Sequence, residues 1–126
     1  MMSDPRLVVW IVDDAVSVRK SIGAVLETSD ITVRDYGSAR DFLAEFTPPA
    51  AGCLIVDHHM PDMTGLELLL HLRREGITIP VIVITGRGDE MLRQKAIQAG
   101  AVNLLYKPVD GEELIALIES MLPARA

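Results

Sequence analysis

Five short apolar runs, each followed by a stretch with helical spacing, constrain the fold of this chain more than any other feature. Leu7, Val8, Val9, Trp10, Ile11 and Val12 form the first run. It is continuous, rich in β-branched residues and too short for an ordinary helix, so it reads as a strand buried on both faces. From 16 to 26, Val18, Ile22, Val25 and Leu26 recur at three- and four-residue spacing, the stripe of an amphipathic helix. The same alternation places further strands at 31–36, 53–56, 81–84 and 102–106. Ser38 caps a second helix carrying Ala39, Phe42, Leu43 and Phe46, which Pro48-Pro49 ends. Leu66, Leu69, Leu70 and Leu72 mark a third helix that closes near Gly76, and a looser fourth covers 90–99 and stops at Gly100. Asp110 with Glu113 three residues later opens the fifth, which runs to Met121.

Strands alternating with helices imply right-handed crossovers and a parallel sheet covered on both faces, a doubly wound α/β domain of three layers. The 126 residues are read as one domain, 1–126 with a core of about 6–122, and no output domain is expected after the last helix. A chain of this length buries roughly two thirds of its unfolded surface and needs no staple. Cys53, the single cysteine, lies in an apolar run and reads as a buried small hydrophobe. A net charge of −6 opposes binding to nucleic acid or anionic lipid. The N-terminus lacks a basic segment followed by a long apolar one, so a cytoplasmic location away from membranes is expected.

In open sheets of this kind ligands bind beyond the carboxyl ends of the strands. Those positions hold Asp13 and Asp14 after the first strand, Asp57 after the third, Thr85 after the fourth and Lys107 after the fifth. Three carboxylates at one sheet edge raise one another's pKa unless a cation neutralises them. An oxygen-only set suits Mg2+, with Mn2+ able to substitute. A purely structural network has no use for three carboxylates facing one ammonium, since the leftover charge is costly. With a cation, the Thr85 hydroxyl and the Lys107 ammonium aimed at one spot, a carboxylate could attack phosphorus in line. Asp57, on a central strand between the acidic pair and Thr85 with Lys107, is the candidate nucleophile.

Asp13-Asp14, then Asp57 followed by Met60-Pro61-Asp62-Met63-Thr64-Gly65, then Ile84-Thr85-Gly86, Ala99-Gly100-Ala101 and Lys107-Pro108 occur in this order over essentially the whole chain. In these motifs the sequence resembles the receiver domains of bacterial two-component response regulators, in particular those of nitrogen-fixation regulators. The resemblance implies a flavodoxin-like sheet in the order 2-1-3-4-5, and a phosphoacceptor role for Asp57. Metal ligation would come from Asp14, Asp57 and the backbone carbonyl of His59, with Asp13 acting through water. Thr85 and Lys107 would hold the phosphoryl group, and the Lys107–Pro108 bond would be cis. The donor would be a sensor histidine kinase, a histidine phosphotransfer protein or a small acyl phosphate. The chain would be a monomer or a phosphorylation-dependent homodimer, switching an unknown downstream protein through its fourth helix, fifth strand and fifth helix.

In most of the family an aromatic residue stands three before the lysine, where this chain has Leu104. Tyr106 shares the face of Leu104 nearer the site and is the candidate substitute, against a plain packing role. The resemblance places His59 and Arg87 beside the phosphoryl group, and Gly86 and Gly88 leave the loop around Arg87 free to close. The rings of His58 and His59 are expected to point opposite ways, which argues against a transition-metal site. Asp62 and Asp89 read as local caps or turn formers. A phosphorelay shuttle or phosphate sink, and a docking domain that works without phosphorylation, stay open as alternatives. An aspartyl phosphatase of haloacid-dehalogenase type would need a second aspartate where His59 stands, and a flavodoxin would need a hydroxyl-rich loop where Asp13-Asp14 stand.

Overall fold

A computed structural model of the protein describes residues 8–29, 31–47, 52–87 and 90–121. The elements alternate as β1 (Val8–Val12), α1 (Val16–Glu27), β2 (Thr32–Tyr36), α2 (Ala39–Glu45), β3 (Gly52–Asp57), α3 (Gly65–Arg74), β4 (Val81–Thr85), α4 (Glu90–Gln98), β5 (Asn103–Tyr106) and α5 (Gly111–Ser120). All strand pairs are parallel, in the order β2-β1-β3-β4-β5.

Period-two alternation along buried strands divides the core into two layers. Val9, Ile11, Cys53, Ile55, Ile82, Ile84 and Leu105 pack beneath α1 and α5, against Ile22, Leu26, Leu114 and Ile118. Trp10, Val12, Leu54, Val56, Val83 and Leu104 face the other way, against Phe42, Leu68, Leu69, Leu72 and Ala96 of α2, α3 and α4. Leu68, Leu69 and Leu72 are fully buried, so truncating any one to alanine costs about 2–5 kcal/mol in transfer and cavity terms. Burial pushes the Cys53 thiol up to about 12, so it stays a protonated hydrophobe.

Several boundaries differ from the sequence reading. Ile31 and Val102 lie outside β2 and β5, whereas β3 extends through Asp57 and β4 through Thr85. The ladder carries the strands this far because His58 N–H donates to the Ile84 carbonyl (2.9 Å) and Lys107 N–H to that of Thr85 (2.8 Å). Phe46 lies just past α2 in extended conformation, its ring 5.0 Å from Trp10. The expected roles of Leu7, Pro48, Pro49, Gly88 and Asp89 fall outside the described residues. Asp110 accepts from the N–H groups of Glu112 and Glu113 as the cap of α5. A full capping box starts α3, where Thr64 accepts from Glu67 N–H and the Glu67 carboxylate from Thr64 N–H. The positive φ of Gly76 and Gly100 (78° and 108°) turns the chain after α3 and α4.

Candidate functional site

The carboxyl ends of β1, β3, β4 and β5 bring Asp13, Asp14, Asp57, Thr85 and Lys107 together. Parallel pairing sets this, since β3 lies between β1 and β4 and ends on Asp57. One carboxylate oxygen from each of Asp13, Asp14 and Asp57 lies within 4.8 Å of the others. Asp13 and Asp57 are buried and Asp14 is exposed. Lys107 Nζ stands 2.9 Å from Asp13 Oδ2 and 3.3 Å from Asp57 Oδ1. Among the described residues, no other polar partner reaches either oxygen.

Burial, then the Asp13 charge, raise the Asp57 carboxyl above its ordinary pKa; Lys107 and the His59 N–H pull less strongly the other way. Burial works against the Lys107 ammonium, but the Asp13 hydrogen bond and the two carboxylate charges outweigh it and raise its pKa. The buried pair is therefore held by one cation that only partly offsets it. A hard divalent ion fits this donor set: carboxylates alone, two buried oxygens with only an ammonium before them, and an exposed third acid at the mouth.

Every polar group of Asp13 is engaged. Its N–H donates to Tyr36 O (3.1 Å), its carbonyl accepts from Arg19 Nη1 (2.7 Å), its Oδ1 accepts from Ala15 N–H (2.9 Å), and its Oδ2 pairs with Lys107. Asp14 is open to solvent, and among the described residues its carboxylate carries no such restraint.

Thr85 is fully buried, and its hydroxyl donates to the Arg87 carbonyl and accepts from Arg87 N–H, both at 3.1 Å. Gly86 sits beside the stem of Lys107, where a Cβ would be 3.9 Å from Cδ. The Lys107–Pro108 bond is cis. His59 and Arg87 are exposed at the rim. The histidine rings do not point apart as expected: beyond Asp57 the chain bends out of strand geometry, and the rings meet edge to face at 4.9 Å. Among the described residues, the clustered ligands are all carboxylates. Asp62 is not a local cap either, because its Oδ2 accepts from the N–H of Arg40 at the start of α2, 3.1 Å away.

Leu104 is fully buried in the core against α3 and α4, while Tyr106 is 43% exposed beneath the guanidinium of Arg93. The sequence reading missed Arg19 and Arg93, whose roles depend on how helices cross the sheet. Gly65 has a steric reason as well. A Cβ there would meet the Asp57 carbonyl oxygen at 2.8 Å, so only glycine lets α3 start against the acceptor's main chain.

The family model for the response regulator receiver domain matches residues 9–119. The chain is 43% identical to the transcriptional regulatory protein FixJ of Rhizobium meliloti over 111 residues, 88% of this chain and 54% of that protein. It is 39% identical to the response regulator protein TodT of Pseudomonas putida over 121 residues, 96% of this chain and 53% of that protein. It thus spans about half the length of these curated relatives. The crystal structure of FixJ-N superposes with a TM-score of 0.83 at 41% identity, covering 98% of this chain and 100% of that one. Chemotaxis protein CheY4 of Vibrio cholerae superposes at 0.84 with 26% identity, over 93% and 99% of the two chains. With its fold, its acidic strand-end cluster and these similarities, the chain belongs to the response regulator receiver domains, the signalling modules of two-component systems.

Proposed function

We propose that Asp57 is the phosphoacceptor of a Mg2+-dependent signalling switch, supplied by a histidine kinase or a histidine phosphotransfer protein. The observation that carries this reading is the single ammonium of Lys107 placed between two buried carboxylates, with a third at the open side. Asp14, Asp57 and the His59 carbonyl would hold the ion directly. Asp13, its four polar groups already engaged, would reach it through water. When bound, Mg2+ supplies positive charge for the phosphoryl oxygens.

The chain's own groups do the rest. An Asp57 carboxylate oxygen forms the new O–P bond while the P–N bond of the donor phosphohistidine breaks; the electron pair of that bond leaves on the imidazole nitrogen, which takes a proton. With a small acyl phosphate the bond broken is P–O and a carboxylate leaves. Lys107 Nζ, already 3.3 Å from Asp57 Oδ1, neutralises an equatorial oxygen of the transferred group. Thr85 donates to another after releasing the Arg87 carbonyl, which leaves that carbonyl free to move. The same site later admits water to the acyl phosphate, so the chain assists only its own phosphorylation and dephosphorylation. A partner that prefers one packing of α4, β5 and α5 then reads the state. Absence of a membrane-spanning helix among the described residues and the family's signalling role support a cytoplasmic place of action.

Incubation with MgCl2 and acetyl phosphate followed by intact-mass measurement tests the reading. It expects one added phosphoryl group in the unaltered chain, and none in Asp57→Asn or with chelator. A persistent lack of any adduct, with both acetyl phosphate and a phosphorylated histidine donor, would overturn it in favour of docking without phosphorylation.

A further inference from the structure

We infer that Arg19 is a positioning residue for the metal site: it fixes the Asp13 main chain and thereby aims the Asp14 carboxylate. This rests on the phosphoacceptor reading of the same site.

Arg19 lies one turn into α1, and its side chain is 16% exposed. The guanidinium spans two elements. Nη1 donates to the Asp13 carbonyl at 2.7 Å, and Nε donates to Asp35 Oδ2 on edge strand β2 at 2.8 Å. It also packs over Gly37, where an added Cβ would come within 3.4 Å of Nη1. The Asp13 carbonyl belongs to the peptide that leads into Asp14. Binding that oxygen therefore sets the plane of the peptide and the direction in which the Asp14 side chain leaves. From the other side, the Asp13 N–H is already tied to Tyr36 of β2. With Arg19 and Asp35 in place, both ends of Asp13 are referred to the same edge strand, and the acidic turn cannot roll about β1. A guanidinium suits this task because its fork donates along two fixed directions, which one ammonium cannot reproduce.

Groups that hold metal ligands in place typically change metal affinity by roughly 10–100-fold when removed. Because Arg19 acts through the main chain, its removal is expected at the low end, about tenfold weaker Mg2+ binding for Arg19→Ala. Arg19→Lys keeps the charge and one donor, so a loss of about threefold is expected, between the native chain and the alanine variant.

The test is calorimetric titration of the whole chain with MgCl2, native and in both variants, together with urea unfolding in chelator and at one fixed, subsaturating MgCl2 concentration. Positioning predicts the graded loss of affinity and a smaller Mg2+-induced rise in the unfolding midpoint at any fixed subsaturating Mg2+ concentration. Native affinity in Arg19→Ala, even with a lower midpoint in chelator, would overturn the inference and leave Arg19 a structural strap. Should Arg19→Ala not fold, native affinity in Arg19→Lys overturns it equally. Failure of the native chain itself to bind Mg2+ or accept a phosphoryl group would instead overturn the phosphoacceptor reading, and the inference with it.

Discussion

The guanidinium of Arg93 lies over the ring of Tyr106, 5.5 Å from its centroid, and so ties α4 to the last residue of β5. The same side chain donates to Asn103 Oδ1 at 2.9 Å and to the Leu104 carbonyl at 3.0 Å. Leu104 is sealed in the core, so a swing of that side chain between buried and exposed states is not available to this chain as it is to an aromatic at the surface edge. Arg93 thus joins α4 to Asn103, Leu104 and Tyr106, three residues of β5.

Arg93→Ala should therefore loosen α4 without altering the acceptor, which Arg93 does not touch. Loss of the two hydrogen bonds and the ring contact should lower stability by about 1–2 kcal/mol and speed amide exchange in α4 more than in α1. Phosphoryl uptake from acetyl phosphate should stay near native. Tyr106→Phe keeps the ring and should leave α4 exchange unchanged; equal exchange rates in native and Arg93→Ala chains would show that the clasp does not hold α4.

At Gly65 the substitution of least size should do marked harm. Gly65→Ala places a Cβ 2.8 Å from the Asp57 carbonyl oxygen, and either α3 or the end of β3 must shift. A cost of about 1–3 kcal/mol is expected from the overpacking, with slower phosphoryl uptake because the displaced main chain carries the acceptor. Urea unfolding and the time course of the mass gain measure the two effects separately.

The order of elements, the two-sided sheet and the five strand-end residues were legible because each rests on local pattern. A short β-branched run reads as a buried strand wherever it occurs, and topology then delivers its last residue to the common edge. What was not legible depended on crossings in space. Arg19 stands among the apolar positions of α1 as an ordinary exposed charge would, and nothing in its spacing points to Asp13 six residues back or Asp35 sixteen ahead. Asp62 looked local and instead caps α2, because the loop after β3 passes the start of that helix. The Thr64 to Glu67 capping box, by contrast, is local and follows from three-residue spacing alone.

Charge at Asp57 should make the metal-free protein less stable than its neutral counterpart. Burial and Asp13 raise the Asp57 pKa above the ordinary 3.8, so the protonated acid is favoured in the folded chain. The resulting stabilisation is complete below the ordinary value and is lost as pH rises through the folded one. At neutral pH in chelator, Asp57→Asn should thus be more stable than the native chain, a gain that shrinks on acidification toward pH 4. Unfolding midpoints of both proteins across that interval decide it; a neutral-pH loss of stability in Asp57→Asn would contradict the assigned cause.

Lys107 has the opposite balance, and its removal should be rescued by other sources of positive charge. Its folded pKa lies above the ordinary 10.5, so its stabilising contribution is complete at lower pH and is lost only as pH rises through the higher, folded value. Lys107→Met at pH 7 leaves Asp13 Oδ2 and Asp57 Oδ1 facing each other without a cation. Removing one partner of a buried pair costs about 3–5 kcal/mol, and the 23% exposure of Lys107 brings the expectation down to roughly 1–3. Saturating Mg2+ should restore much of that loss, as should acidification that protonates Asp57. Adding Asp57→Asn should rescue the variant further than Asp57→Asn stabilises the native chain, a coupling that a double-mutant cycle reads directly. If the two substitutions simply add, the ammonium is not what compensates the buried carboxylates.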